Sequence, residues 1–304
     1  MEKFEVNILG CGSALPTTRH QATSQVVNIR EKLFMIDCGE GTQVQLRRSR
    51  LRFGRLNHIF ISHLHGDHCF GLIGLISTFA MLERTAALHV YAHADLQPIL
   101  EQQMDYFCKG MSYRVVFHPI NPKEKKIIYE DRSVTVETVP LKHRMPTCGF
   151  IFREKPTPRH IKRDMIDFYE IPLCMINRIK NGEDYVLDDG TIVPNERLTE
   201  PSDPARTYAY CSDTAFLPQI VEQVKGADLL FHEATFAESE LLRAQQTLHS
   251  TASQAATIAS KAGVKRLVIG HYSARYEDES VLLEEAKAVF ENTMLAQENL
   301  NIVI

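Results

Sequence analysis

Short apolar runs alternate with longer helical stretches along the chain. Val6, Ile8 and Leu9 form a strand that stops at Gly10-Cys11-Gly12. Apolar runs over 25–29 and 33–36 are split by the polar turn Arg30-Glu31-Lys32 and read as two further strands. Residues 37–41 read as a loop, 42–52 as a helix, and 57–62 as a strand with Ile59 and Ile61 on one face. Residues 70–82 are a largely apolar helix, too short to span a bilayer. A strand over 88–91, a helix over 95–107 and a strand over 113–117 follow. Over 133–139 the period is two: Val134, Val136 and Thr138 share one face, Thr135, Glu137 and Val139 the other. Another strand covers 150–152.

The alternation resumes after residue 206. Strands are expected over 207–211, 228–231, 267–269 and 301–304, and helices over 217–225, 238–246, 251–262 and 279–292. Thr251 and Gln254 form a capping-box pair, and Gly263 supplies a C-terminal stop. Strands followed by helices in both halves suit an α/β protein of two stacked sheets with helices outside. Residues 154–206 differ: they hold six of the thirteen prolines and few long apolar stretches. They read as an excursion from the core, either a protruding arm or an ordinary surface insertion.

Composition narrows the classes. The 304 residues are 44% hydrophobic and 24% charged, which excludes a disordered or low-complexity chain. The length suits one large domain or two small ones. Lys and Arg total 34 against 38 Asp and Glu, a net charge of -4, so a globally basic nucleic-acid binder is excluded while a local basic patch is not. No apolar run approaches the ~20 residues of a membrane span, and the start Met-Glu-Lys-Phe-Glu has no signal-peptide pattern. Seven scattered cysteines without a C-x-x-C pair argue against a disulfide framework. The expectation is a soluble, reduced, cytoplasmic protein with no membrane partner.

The chemistry concentrates in His63-Leu64-His65-Gly66-Asp67-His68, directly after the strand over 57–62. A loop at a strand end points several such side chains into one space, and Gly66 is expected to permit a sharp turn. Imidazole and carboxylate without cysteine suit a borderline cation such as Zn²⁺ in a site with an open position, not a structural thiolate cage.

This motif resembles the signature of the metallo-β-lactamase superfamily, in which a His, an Asp and a His from later strand ends complete the site. His143, Asp213 and His271 stand in that order, each after an expected strand. The resemblance implies a four-layer αββα fold of two stacked mixed sheets, spanning the chain outside 154–206. It implies that His63, His65 and His143 hold one metal, that Asp67, His68 and His271 hold the second, and that Asp213 bridges them. Two Zn²⁺ per subunit are expected, although Mn²⁺ and Fe²⁺ accept the same ligands. Two such cations polarise water and stabilise both oxygens of a phosphodiester displacement. Asp67 would both bind metal and orient the nucleophile.

Further motifs narrow the family. Phe231-His232-Glu233-Ala234-Thr235 and His249-Ser250-Thr251 resemble signatures of ribonuclease Z, the tRNA 3′-processing endonuclease family. The opening 9–16 and the loop Asp37-Cys38-Gly39-Glu40-Gly41-Thr42 are also similar, and the length is that of the family's short form. The resemblance implies that His249 stabilises the transition state or protonates the leaving 3′ oxygen. Glu233 either orients His249 or holds the turn by a structural hydrogen bond. His232 is expected to pack or cap, and His20, His58, His89, His93, His118 and His160 to be structural. Arg47, Arg48, Arg50, Arg52 and Arg55 form one acid-free basic run, either an RNA surface or a plain solvated helix. Arg153, Lys155, Arg159, Lys162 and Arg163 form a second at the root of 154–206. In this family an arm inserted there clasps precursor tRNA across a homodimer, so 154–206 is expected to be a tRNA-binding exosite.

Two departures stand out. Thr18-Arg19-His20-Gln21 replaces the Lys and Arg-Asn pair common after the opening Pro, and Ile171-Pro172-Leu173-Cys174 stands near the usual Gly-Pro element of the arm. Cut position and discrimination of a CCA end are therefore not carried over. The leading expectation is an endoribonuclease cutting 3′-extended tRNA precursors near the discriminator base, leaving a 3′-hydroxyl on the tRNA and a 5′-phosphate on the trailer. A hydrolase of a thioester, lactam or cyclic nucleotide on the same fold, and a non-catalytic RNA-binding relative, are the alternatives.

Overall fold

A computed structural model describes residues 2–304. They divide into two compact units, Glu2–Arg153 with Arg206–Ile304, and Glu154–Ala205.

The larger unit contains two seven-stranded sheets. The first runs in the spatial order Asn301–Val303, Phe4–Gly10, Ser24–Ile29, Lys32–Ile36, Leu56–Phe60, Leu88–His93, Val115–Ile120. Its pairs are antiparallel as far as Lys32–Ile36 and parallel beyond it. The second runs Thr293–Leu295, Leu267–Gly270, Leu229–Glu233, Thr207–Cys211, Cys148–Glu154, Val134–Pro140, Ile127–Glu130. Its four strands from Thr293–Leu295 to Thr207–Cys211 pair in parallel.

The alternation of side chains explains the layering. Along Lys32–Ile36, Phe34 and Ile36 enter a core shared with Phe150, Phe152 and Tyr208 of the other sheet, with the Phe34 and Phe152 rings 5.8 Å apart. Leu33 and Met35 face the other way, into a second core with Leu72, Leu75, Ile76 and Phe79 of the helix Gly71–Met81 and Leu96 and Leu100 of the helix Leu96–Phe107. Ile59 and Ile61 share this outer face. On the far side, Ala255, Ala256 and Ile258 of the helix Ala252–Ala262 pack toward the second sheet. The layers are therefore helix, sheet, sheet, helix. Strands covered on both faces must be apolar throughout, which is why they read as continuous runs.

The predicted capping box is present: Gln254 N–H donates to the Thr251 hydroxyl at 3.2 Å, and Thr251 N–H to the Gln254 side chain at 3.1 Å. Other expectations change. The helix from Thr42 ends at Arg48, because Arg50 takes a left-handed φ of 58°. Of the first basic run, Arg47 and Arg48 therefore lie in this helix, and Arg55 ends a short 3-10 turn, Phe53–Arg55. The 217–225 helix is a short turn, Pro218–Ile220, followed by Val221–Val224. The strand expected over 113–117 is shifted to Val115–Ile120; Pro119 is tolerated because this is an edge strand. The edge strand Ile127–Glu130 and the three-residue Thr293–Leu295 lacked a legible period.

Glu154–Ala205 carries its own small core of Ile171, Ile179, Val193 and Leu198. It contains the helices Arg163–Phe168 and Leu173–Lys180 and two small strand pairs. Asn195 ties it together, its side-chain N–H groups donating to the carbonyls of Ile179 at 2.7 Å and Glu183 at 2.8 Å. Among the described residues no helix is long and apolar enough to cross a membrane.

Candidate metal centre

Each residue of the site lies at or just past the end of a strand. His63–His68 follow Leu56–Phe60, His143 follows Val134–Pro140, Asp213 follows Thr207–Cys211, and His271 follows Leu267–Gly270. Gly66 does not act by a turn-permitting φ, as the sequence suggested; it opens a short helix, Gly66–Cys69. A Cβ there would lie 2.3 Å from the exposed Phe70 ring, so a side chain at 66 would require that ring to shift. The loop is stitched to its neighbour by Cys38 N–H donating to the His68 carbonyl at 2.8 Å and Gly71 N–H to the Cys38 carbonyl at 2.9 Å.

Two sets of donor atoms converge. His63, His65, His143 and Asp213 each offer an atom within 4.8 Å of the others, as do Asp67, His68 and His271. Asp213 faces both: Oδ2 lies 3.6 Å from His63 Nε2 and 3.8 Å from His143 Nε2, while Oδ1 lies 3.4 Å from His68 Nε2 and 3.3 Å from His271 Nε2. Asp67 Oδ2 lies 3.4 Å from both His68 Nε2 and His271 Nε2.

The surrounding hydrogen bonds fix the ring protons. His68 Nδ1–H donates to Asp37 Oδ2 at 2.8 Å. Asp37 also accepts from the Ser62 amide at 2.7 Å, the Ser62 hydroxyl at 2.9 Å and the Tyr210 hydroxyl at 2.7 Å. Since the Ser62 hydroxyl donates to Asp37, it accepts from His63 Nδ1–H at 3.0 Å. His143 Nδ1–H donates to the Leu248 carbonyl at 2.9 Å. The Thr235 hydroxyl donates to Glu233 Oε2 at 2.7 Å and accepts from His271 Nδ1–H at 2.9 Å. Four imidazoles are thus held with the proton on Nδ1 and a lone pair on Nε2, directed inward.

Those inward atoms fit a cation. His68 Nε2, His143 Nε2 and Asp213 Oδ1 are buried and have no hydrogen-bond partner among the described residues. Buried polar atoms are ordinarily satisfied, so a cluster of such atoms in one space calls for an ion. His65 Nδ1 stands 3.0 Å from the inward nitrogen of His63, close enough for both to meet one ion. Burial alone would raise the Asp213 carboxyl; the combined field of His271, His68 and His63 overrides it and holds the group well below the usual carboxylate range.

His249 sits at the rim, its ring 4.9 Å from that of His143 and 5.3 Å from that of His271. Glu233 Oε1 is 2.9 Å from His249 Nδ1. Burial would lower the His249 imidazole, but the Glu233 carboxylate raises it to about 9. Glu233 also accepts from the amides of Thr214, Thr235 and Ser250 at 3.0–3.1 Å, so it holds the turn and faces His249 at once. His232 is buried away from the cluster, with Nδ1 2.7 Å from the Glu233 carbonyl.

Sequence reasoning passed over Asp37, Thr235 and the Leu248 carbonyl. An acid ending the apolar run 33–36, where a solvated loop was expected, was the available signal for Asp37. Asp37, Leu248 and His271 have φ of 56°, 57° and 65°, conformations that cost of order 1–3 kcal/mol in non-glycine residues and gather at functional sites.

Known proteins share the fold and much of the sequence. Residues 4–161 match the family model described as Anti-Pycsar protein Apyc1, and residues 197–272 match the β-lactamase superfamily domain. A metallo-β-lactamase fold protein of Bacillus subtilis, 18% identical, covers all of both chains with a TM-score of 0.70 and shows the fold. The short form of human tRNase Z is 25% identical, with 98% of each chain covered and a TM-score of 0.70. Ribonuclease Z of Phocaeicola vulgatus is 69% identical over 304 residues, all of this chain and 98% of that relative. On this full-length similarity, the chain belongs to the ribonuclease Z family, tRNA 3′-processing endoribonucleases built on the metallo-β-lactamase fold.

Proposed function

We propose that this chain is a zinc-dependent endoribonuclease that cuts 3′-extended tRNA precursors near the discriminator base. The tRNA leaves with a 3′-hydroxyl and the trailer with a 5′-phosphate. The observation that carries the reading is the pair of donor sets divided by Asp213, with unsatisfied buried atoms facing inward. His63, His65 and His143 would hold one Zn²⁺ and Asp67, His68 and His271 the other, with Asp213 between them. The imidazole and carboxylate set suits zinc, and also Mn²⁺ or Fe²⁺. When bound, the metal pair supplies Lewis-acid polarisation of the scissile phosphate and of water.

The chain's own groups supply the rest. Asp67, at the edge of the cluster, accepts a hydrogen bond from the attacking water and orients its lone pair. His249, kept protonated by Glu233, donates a proton from its imidazolium to the leaving 3′ oxygen. Glu233 orients the ring and offsets its charge. Asp37 and Thr235 hold His68 and His271 in the required tautomers.

Glu154–Ala205 is the proposed tRNA exosite. The exposed Arg163, and Lys180 at the end of the helix Leu173–Lys180, offer cations for phosphates, while Arg178 in the same turn is paired with Glu183. The family resemblance supports a homodimer in which this unit holds tRNA for the partner's centre. Seven free cysteines, five of them buried, suit the reducing cytoplasm.

The test is incubation of the zinc-loaded chain with a 3′-extended tRNA precursor, with and without an encoded CCA, mapped at single-nucleotide resolution. One cut near the discriminator base of the CCA-less substrate, abolished by chelator, is expected. Intact precursor alongside hydrolysis of a thioester, lactam or cyclic nucleotide would replace this reading with a small-molecule hydrolase.

A further inference from the structure

A second cluster of metal-ligating side chains lies outside the candidate centre. Cys11 follows the strand Phe4–Gly10, His20 lies on the opening loop, and Glu298 lies between the strands Thr293–Leu295 and Asn301–Val303. The Cys11 sulfur is 3.3 Å from His20 Nδ1 and 3.5 Å from Glu298 Oε1, and His20 Nδ1 is 3.1 Å from Glu298 Oε2. Around a tetrahedral zinc with bonds of about 2.3 Å to sulfur and about 2.0–2.1 Å to nitrogen or oxygen, neighbouring ligand atoms are about 3.3–3.6 Å apart. The sulfur–nitrogen edge and the sulfur–Oε1 edge fall within about 0.3 Å of that range, while the 3.1 Å nitrogen–oxygen contact is to Oε2, the second oxygen of the same carboxylate.

The neighbours of the cluster point the same way. His20 Nε2–H donates to Glu279 Oε1 at 3.2 Å, the outer carboxylate that commonly fixes a metal-bound histidine and leaves its other nitrogen as the donor. Gln21 N–H donates to Glu298 Oε1 at 2.8 Å and holds that carboxylate in place. Cys11 is buried, and its sulfur lies 3.3–3.5 Å from His20 Nδ1, Glu298 Oε1 and the Ala296 carbonyl. A cation serves the nitrogen, the sulfur and the carboxylate at once.

We propose that Cys11, His20 and Glu298 form a third, non-catalytic Zn²⁺ site, with solvent as fourth ligand, which fastens the opening loop to the C-terminal segment. Binding releases two protons to solvent, one from the thiol, which leaves sulfur as thiolate, and one from His20 Nδ1, which donates to Glu298 when no ion is bound. Cys11 and Glu298 then balance the two positive charges, and His20 binds as the neutral ring. The site matters to the reaction because His20, Ala14 and Pro16 line a cavity of about 280 Å³ that also includes Asp67 and Phe70. A fastened loop fixes one wall of the space next to the candidate centre. The proposal does not depend on which phosphodiester is cut.

The test is metal counting on the zinc-loaded, full-length chain. Wild type should hold one equivalent more than Cys11→Ser and than Glu298→Gln, which leaves the sulfur in place. Cobalt-loaded wild type should show a thiolate-to-cobalt charge-transfer band in the near ultraviolet. No side chain of the His/Asp centre can give that band. It should vanish in Cys11→Ser and persist in Asp213→Ala, which separates this site from the two-metal centre. Equal metal content in wild type and both variants, absence of the band, or a band that survives Cys11→Ser would overturn the proposal.

Discussion

Asp37 and His68 are joined by a 2.8 Å hydrogen bond at full burial, although 31 residues separate them in sequence. The bond decides which nitrogen of His68 faces the cluster. Asp37 is itself oriented by three donors from Ser62 and Tyr210, so the acceptor geometry is rigid. Asp37→Asn keeps the shape but places an amide among those donors. Metal affinity should fall about 10- to 100-fold, the usual effect of removing such a partner. Competition with a chromogenic chelator measures it, and wild-type affinity in the variant would count against the role of Asp37.

Thr235 gives a parallel case for His271. Its hydroxyl is both donor to Glu233 and acceptor from His271. Thr235→Val removes both at constant volume and should weaken metal binding by about 10-fold or more. Thr235→Ser should restore it. If Val and Ser behave alike, the hydroxyl is not what positions the ring.

His249→Ala should leave metal content and tRNA affinity close to wild type and reduce turnover by ~10²-fold or more. Loss of metal in proportion to activity would make the residue structural instead.

Glu233 sets the pH behaviour of His249. A proton donor is active while protonated, so turnover should fall as pH rises through the imidazole's pKa, which Glu233 raises. Glu233→Gln removes the charge and should move this alkaline limb to lower pH. The comparison is kcat against pH in the two proteins; superimposable limbs would show that Glu233 serves the turn alone.

The unit Glu154–Ala205 can be removed by a conservative graft. Arg153 and Thr207 are cross-strand partners, so a short Asn-Gly type turn can join their strands. The shortened protein should lose far more activity on precursor tRNA than on a small phosphodiester. Its residual tRNA binding should also show a shallower salt slope. Equal losses on both substrates would remove this unit from recognition.

Much of this was readable from the chain because it is local. The four ligand-type residues of 63–68 fall within six positions, and the strands before His143, Asp213 and His271 show as apolar runs. The Thr251–Gln254 cap is likewise a four-residue event. What escaped reading is non-local or conformational. Asp37 reaches His68 across two strands, and Leu248 serves through a carbonyl, which no side chain advertises. The left-handed φ of the exposed Arg50 ends a helix within a basic run whose residue types would let it continue. His20 carries no ligand spacing, and only the fold brings it to Cys11 and Glu298.

The most direct test of the two-metal account is a zinc titration of chelator-stripped Cys11→Ser protein, which isolates the His/Asp centre, with precursor cleavage read at each step. Cleavage at one position near the discriminator base should rise and saturate at two zinc ions per chain. Saturation at one ion, or two bound ions without cleavage, would contradict it.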